Sequence, residues 1–133
     1  MTFIVSFPWP HKDLSPNARV HWGKLAKRKA AQKAECHWDA HQAFNAAGRP
    51  QMRGVTAQIT FHPPCMRRRD LDNALASIKA GLDAIAAVIG VDDSKWGLTL
   101  AWGAPVKFGR VHVEFAAAEV IMPILGEING DNE

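Results

Sequence analysis

The strongest constraint on this chain is an apolar stripe in its second half. Leu71, Leu75, Ile78, Leu82, Ile85 and Ile89 recur at spacings of 4, 3, 4, 3 and 4, and Gly90 follows. This is the repeat of a single helical face, and glycine just past the last apolar position is the usual helix stop. The spacing predicts a helix over most of residues 72–89. So regular a seam must pack against something, and its heptad-like period suits antiparallel packing against a second copy.

The remaining segments supply a sheet. Phe3 to Phe7 is a short β-prone run ending at Pro8-Trp9-Pro10, where two prolines forbid a regular ladder. Pro10 to His21 has no periodicity and reads as a loop. From about Lys24 to Ala47 the chain is rich in Ala, Lys and Gln, with Gly48 and Pro50 as a stop, which predicts a long helix with a basic first half. Val55 to Phe61 alternates with period two, as in a half-buried strand, and Pro63-Pro64 ends it. Trp96 to Trp102 and Arg110 to Ala116 also alternate, and the Gly103-Ala104-Pro105 and Gly109 signals between them predict a terminal hairpin. The expected fold is α/β in the order β-α-β-α-β-β, a mixed β-sheet packed with two long helices. One domain over residues 1–122 is expected, with 123–133, which mix Pro, Gly and acidic residues, as a loose tail. At 133 residues and 47% hydrophobic content, a second core is not expected.

Composition narrows the function classes. The longest apolar run, Ala84 to Gly90, is far short of the roughly 20 residues of a membrane helix, so a cytoplasmic chain with no membrane partner is expected. Cys36 and Cys65 lack zinc-site spacing and are expected as reduced thiols. Charge is divided unevenly. Up to Arg69 there are twelve Lys and Arg against three acidic residues, a formal +9; from Asp70 onward four basic residues face ten acidic ones, a formal −6. A basic half suits a polyanion and clustered aspartates suit cations, although two solvated faces of opposite sign fit the same count.

The candidate chemistry lies where the two halves meet, in Arg67-Arg68-Arg69-Asp70-Leu71-Asp72-Asn73. Carboxylates at i and i+2 in an extended segment point to one side and can share a hard cation such as Mg²⁺. Asp72 also fits a helix N-cap, which leaves Asp70 and the arginines unexplained. Asp72, Lys79 and Asp83 share a stripe beside the apolar seam, and Lys79 pairs naturally with Asp83 at i, i+4. Asp92-Asp93 follow the helix stop, where turn residues are common. The ends of a straight helix over 72–89 stand about 26 Å apart, so Asp70/Asp72 and Asp92/Asp93 of one chain meet only if the chain folds back after Gly90. An antiparallel dimer along the seam would instead build two composite sites. His37 and His41 have zinc-compatible i, i+4 spacing but no glutamate between them, and the default is surface histidines. Of five tryptophans most are expected in the core, with Trp9 and Trp22 placed to stack on bases.

Phe7-Pro8-Trp9-Pro10, Ser15-Pro16-Asn17, Arg68-Arg69-Asp70-Leu71-Asp72-Asn73, Lys79 with Asp83 four residues on, and Asp92-Asp93-Ser94 together resemble the RusA family of Holliday junction resolvases, common on phages and prophages. The resemblance covers roughly residues 3–116. It implies a RusA-like homodimer that nicks four-way DNA junctions in recombination and repair, using Mg²⁺, with Mn²⁺ an open alternative. It further implies Asp70, Asp72 and Asp93 as catalytic carboxylates with Lys79 beside them, and Asp70, Asp72, Asp92 and Asp93 as metal ligands. Ala76 stands where some members carry the helix lysine, and Lys79 one turn deeper keeps the spacing to Asp83. Arg67, Arg68 and Arg69, the helix residues Lys24, Lys27, Arg28 and Lys33, and Asn17 would bind DNA. A nuclease for flaps or forks, or a non-catalytic DNA-binding dimer, would use the same basic face.

Overall fold

A computed structural model describes residues 2–121. Strand β1 (Thr2–Pro8) leads through a 3₁₀ turn (Lys12–Leu14) to helix α1 (Trp22–Ala46) and strand β2 (Gln51–His62). Helices α2 (Leu71–Ser77) and α3 (Lys79–Ile89) follow, then a 3₁₀ turn (Asp93–Lys95), β3 (Gly97–Trp102) and β4 (Arg110–Ile121). The architecture is mixed α/β, with three helices and a four-stranded mixed sheet ordered β1-β4-β2-β3. The tail expected over 123–133 lies outside the described residues.

Two expectations need correction. First, β3 and β4 do not form a hairpin. β3 runs parallel to β2, with Thr56 opposite Gly97 and Phe61 opposite Trp102, while β4 is antiparallel to both β1 and β2 and lies between them. Residues 103–109 carry the chain over the end of β2: Gly103 N–H donates to Phe61 C=O at 2.8 Å and Val106 N–H to Pro63 C=O at 3.0 Å. Gly109, at φ +75°, turns the chain into β4 where a Cβ would stand 2.8 Å from Trp9 Cβ. The turn signals were real, but they mark a crossing of the β2 terminus, and the strand that pairs with β3 lies across the α2–α3 connection. Second, the helix over 72–89 is two helices. Ile78 sits at φ −113°, ψ 9°, and the break falls where the buried amide of Gln32, from α1, bonds the Ser77 carbonyl and the Gly81 N–H. A side chain inserted into the helical ladder is a recognised cause of such a break.

The core lies on one face of the sheet. Alternate residues of β1 (Phe3, Val5, Phe7), β2 (Val55, Ala57, Ile59, Phe61) and β4 (Val111, Val113, Phe115) are buried there. Cys36, Ala40 and Phe44 of α1 and Ile78, Leu82, Ile85 and Ile89 of the stripe complete it, with Leu71 and Leu75 half-buried at its margin. The seam is thus covered by the chain's own sheet and α1, and it is not available for antiparallel packing against a second copy. The opposite face carries Thr56, Gln58, Thr60, His62, His112 and Glu114, the polar half of the alternation, as expected for a sheet covered on one side. Among the tryptophans Trp96 is buried, with Nε1–H donating to Val91 C=O at 3.0 Å. Trp22 and Trp38 are exposed, Trp102 is exposed at 39%, and Trp9 is half-buried.

Candidate active site

The local sequence sets each aspartate differently. Asp70, extended at φ −100°, ψ 129°, is the N-cap of α2 by backbone position, and its carbonyl accepts from Ala74 N–H at 3.0 Å. Its carboxylate makes no capping hydrogen bond. Asp72 is therefore not the cap: it lies in the first helical turn, exposed, on the wall of a cleft of about 590 Å³. That cleft runs between α1 and the α2–α3 pair, with Asp72, Leu75, Lys79 and Asp83 on one wall and Lys29, Gln32 and Lys33 on the other.

Beyond α3, Gly90 adopts a left-handed conformation (φ +79°) and the chain reverses. Asp92 accepts hydrogen bonds from both the N–H and the hydroxyl of Ser94, capping the 3₁₀ turn, and these bonds hold its carboxyl below the usual carboxylate range. Asp93 is thereby turned back toward α3, where its carboxylate accepts a hydrogen bond from Lys79 Nζ. The same ammonium donates to Asp83 Oδ1 at 2.8 Å. The two contacts, Asp83 first and Asp93 second, raise the Lys79 pKa well above its ordinary value. Asp93 is the more enclosed partner, with 15% of its side chain exposed against 47% for Asp83.

The fold thus brings Asp72, Lys79 and Asp83 of one chain to one cleft, and Asp93 to Lys79, because the chain does fold back after Gly90. The composite site across an antiparallel dimer is corrected by that contact and by the buried seam. Asp92 is engaged as a cap, and Asp83, read from spacing mainly as a helix ion-pair partner, joins Asp93. Among the described residues no group of three or more His, Cys, Asp or Glu is arranged to hold a metal. Two carboxylates do converge on one point, occupied by the Lys79 ammonium. Mg²⁺ is commonly bound through one or two carboxylates with water completing its shell, so this all-oxygen donor pair fits such an ion, whereas a preformed cage of four aspartates is not present.

The basic residues divide. Arg69 is half-buried and spent internally: its guanidinium donates to Cys65 C=O (2.9 Å), Arg67 C=O (3.0 Å) and Cys65 Sγ (3.3 Å), and stacks over Trp9 at 5.5 Å. Arg28 bonds Asp13 at 3.2 Å, and Lys24 lies 3.8 Å from the same carboxylate. Burial pushes the Asp13 carboxyl up, but the Arg28 bond and the nearby His11, Lys24 and Arg28 charges outweigh it and hold it below the usual range. These contacts pin the loop before α1. Arg69 and Arg28 are thus engaged within the chain. Arg67 and Arg68 are exposed beside a second, smaller cleft with Met66 and Trp102. Lys27, Lys33 and Asn17 are exposed as well, and Lys29, not singled out from the sequence, reaches the main cleft one turn before Lys33. Both cysteines are free; burial pushes the Cys36 thiol up to about 12, and the Arg69 bond lowers that of exposed Cys65.

No family model matches the chain. It is similar to an uncharacterised protein of Xylella fastidiosa strain Temecula1, 37% identical over 93 residues that cover 69% of this chain and 61% of that protein. The chain thus spans less than two thirds of the length of the relative it matches, and no helix among the described residues is long and apolar enough to cross a membrane.

Proposed function

We propose that the chain is a structure-selective endodeoxyribonuclease of the RusA kind, acting on four-way DNA junctions by Mg²⁺-dependent phosphodiester cleavage. The observation that carries this reading is the Lys79 ammonium held between Asp83 and Asp93 on the wall of a cleft that also bears Asp72. Its support from the sequence is the ordered run from Asp70-Leu71-Asp72-Asn73 to Asp92-Asp93-Ser94.

The geometry supports a division of labour. Lys29 and Lys33, on the wall opposite the aspartates, bind backbone phosphates and draw the strand into the cleft. Lys79 stabilises negative charge that builds on the phosphate oxygens, and Asp83 and Asp93 keep it protonated and fixed in place. Asp72 on the cleft wall, or the pair Asp83 and Asp93 where a metal would replace the Lys79 ammonium, would hold the metal through one or two carboxylates with water completing its shell; it would supply Lewis-acid polarisation of the phosphate and a lowered pKa for water. Asp70, with a carboxylate free of capping, stands two residues before Asp72 at the helix start. Paired cuts call for a second copy related by a two-fold axis, joined through a surface other than the internal seam.

The test is a labelled synthetic four-way junction incubated with and without Mg²⁺, alongside flap and fork substrates. Symmetric nicks in Mg²⁺, lost on Asp72→Asn or Asp93→Asn by on the order of a hundredfold or more, are expected. Cleavage by Asp72→Asn at the parent rate would remove the assigned role, and faster cleavage of flaps or forks would reassign the substrate.

A further inference from the structure

The wall between Asp72 and Lys79 is shaped by one side chain of the opposite helix. In an uninterrupted helix Gly81 N–H would donate to the Ser77 carbonyl four residues back. Gln32 stands inside that bond: its Nε2 donates to Ser77 C=O at 2.9 Å and its Oε1 accepts from Gly81 N–H at 2.8 Å. The Gln32 side chain is buried, at 6% exposure, so both amide groups are satisfied by the two halves of the separated pair. Neighbouring residues support the same geometry. A Cβ on Gly81 would lie 2.6 Å from Cys36 Sγ and 3.3 Å from Gln32 Cγ, so glycine alone lets α1 approach this closely. Ser77 Oγ donates back to Asn73 C=O at 2.8 Å, a bond that favours bending of the preceding turn.

We infer that Gln32 is a positioning residue: by holding the α2–α3 break open it sets where Lys79, the first residue of α3, stands relative to Asp72 before the break and Asp93 beyond α3. The inference rests on the reading of this cleft as a nuclease site. Gln32 touches no carboxylate of the cleft and acts only through the backbone of Ser77 and Gly81.

The decisive variant is Gln32→Met, which keeps the volume but bonds neither group and leaves Ser77 C=O and Gly81 N–H free to close on each other. Two measurements are made. A crystal structure of the free variant is expected to show a continuous helix through residue 78, with Lys79 Nζ no longer bonded to Asp93. Junction cleavage by the folded variant is expected to fall in kcat by about tenfold or more, with the Kd for the junction within about twofold of the parent. Gln32→Glu, which keeps an acceptor for Gly81 N–H but presents no donor to Ser77 when ionised, is expected to lose less and serves if the methionine variant does not fold. An unbroken Lys79–Asp93 contact in either variant, or a parental kcat in a folded one, overturns the inference. If the parent itself cleaves no junction, the nuclease reading fails while the structural arm still decides whether Gln32 holds the break.

Discussion

At the scale of single residues, the arginine run shows how little type alone decides. Arg67, Arg68 and Arg69 are indistinguishable in sequence, yet Arg69 binds two backbone carbonyls and a thiol and covers Trp9, while Arg67 and Arg68 are exposed. Arg69→Ala is expected to lower thermal stability by on the order of 1–2 kcal/mol, whereas Arg67→Ala changes stability by less than about 0.5 kcal/mol and weakens DNA binding instead. Thermal melts and a salt-resolved binding titration separate the two. His112 supplies a pH prediction. Burial first, then the neighbouring His62 and Arg110, lower its pKa below 6.5. The unfolded chain therefore takes up this proton before the folded one as pH falls. The contribution is complete above pH 6.5 and is lost as pH drops through the lower folded value. A melting temperature lower at pH 5.5 than at pH 7.5, with a shallower slope in His112→Gln, is the expected outcome; equal slopes refute it. The Asp13 carboxyl, held below 3.8, acts only in more acid solution and does not overlap that window.

At the scale of elements, the apolar periodicity located both main helical regions and the β1, β2 and β3 segments to within a few residues. It placed the stripe on a helical face correctly and its partner wrongly. Period and spacing state which face must be covered but carry no information on what covers it; here the cover is the sheet and α1 of the same chain. The break at Ile78 was equally hidden, since Leu75, Ile78 and Leu82 keep helical spacing across it and the inserted amide comes from a residue far away in sequence. The packing of α1 on α3 gives the element-level prediction. Gly81→Ala forces a methyl against Cys36 Sγ and is expected to cost about 1–3 kcal/mol by overpacking. Part of that loss is expected to return in the Gly81→Ala, Cys36→Ala double variant, which frees the space; strictly additive denaturation free energies would show that the two sites do not touch.

At the scale of the whole molecule, charge and topology act together. The basic α1 and the acidic α2–α3 unit form opposite walls of one cleft, so the sequence's two charge blocks are neighbours and not separate faces. Junction affinity is expected to fall steeply with salt. Lys29→Ala combined with Lys33→Ala is expected to reduce the slope of log K against log salt by about 0.9 for every duplex phosphate that these lysines neutralise. An unchanged slope would move the DNA away from this cleft. The sequence by itself determined the α/β class, the two helical regions, and the polar and apolar faces of the strands, because these depend on local period, turn chemistry and residue type. The tertiary structure alone decided that β4 lies between β1 and β2, that the seam is internal, that Asp92 caps while Asp93 reaches Lys79, and that Gln32 divides the second helix. Apart from the local Asp92 cap, each of these rests on pairings between residues distant in sequence, which form only when the strands pair, the chain reverses at Gly90 and α1 packs across the cleft.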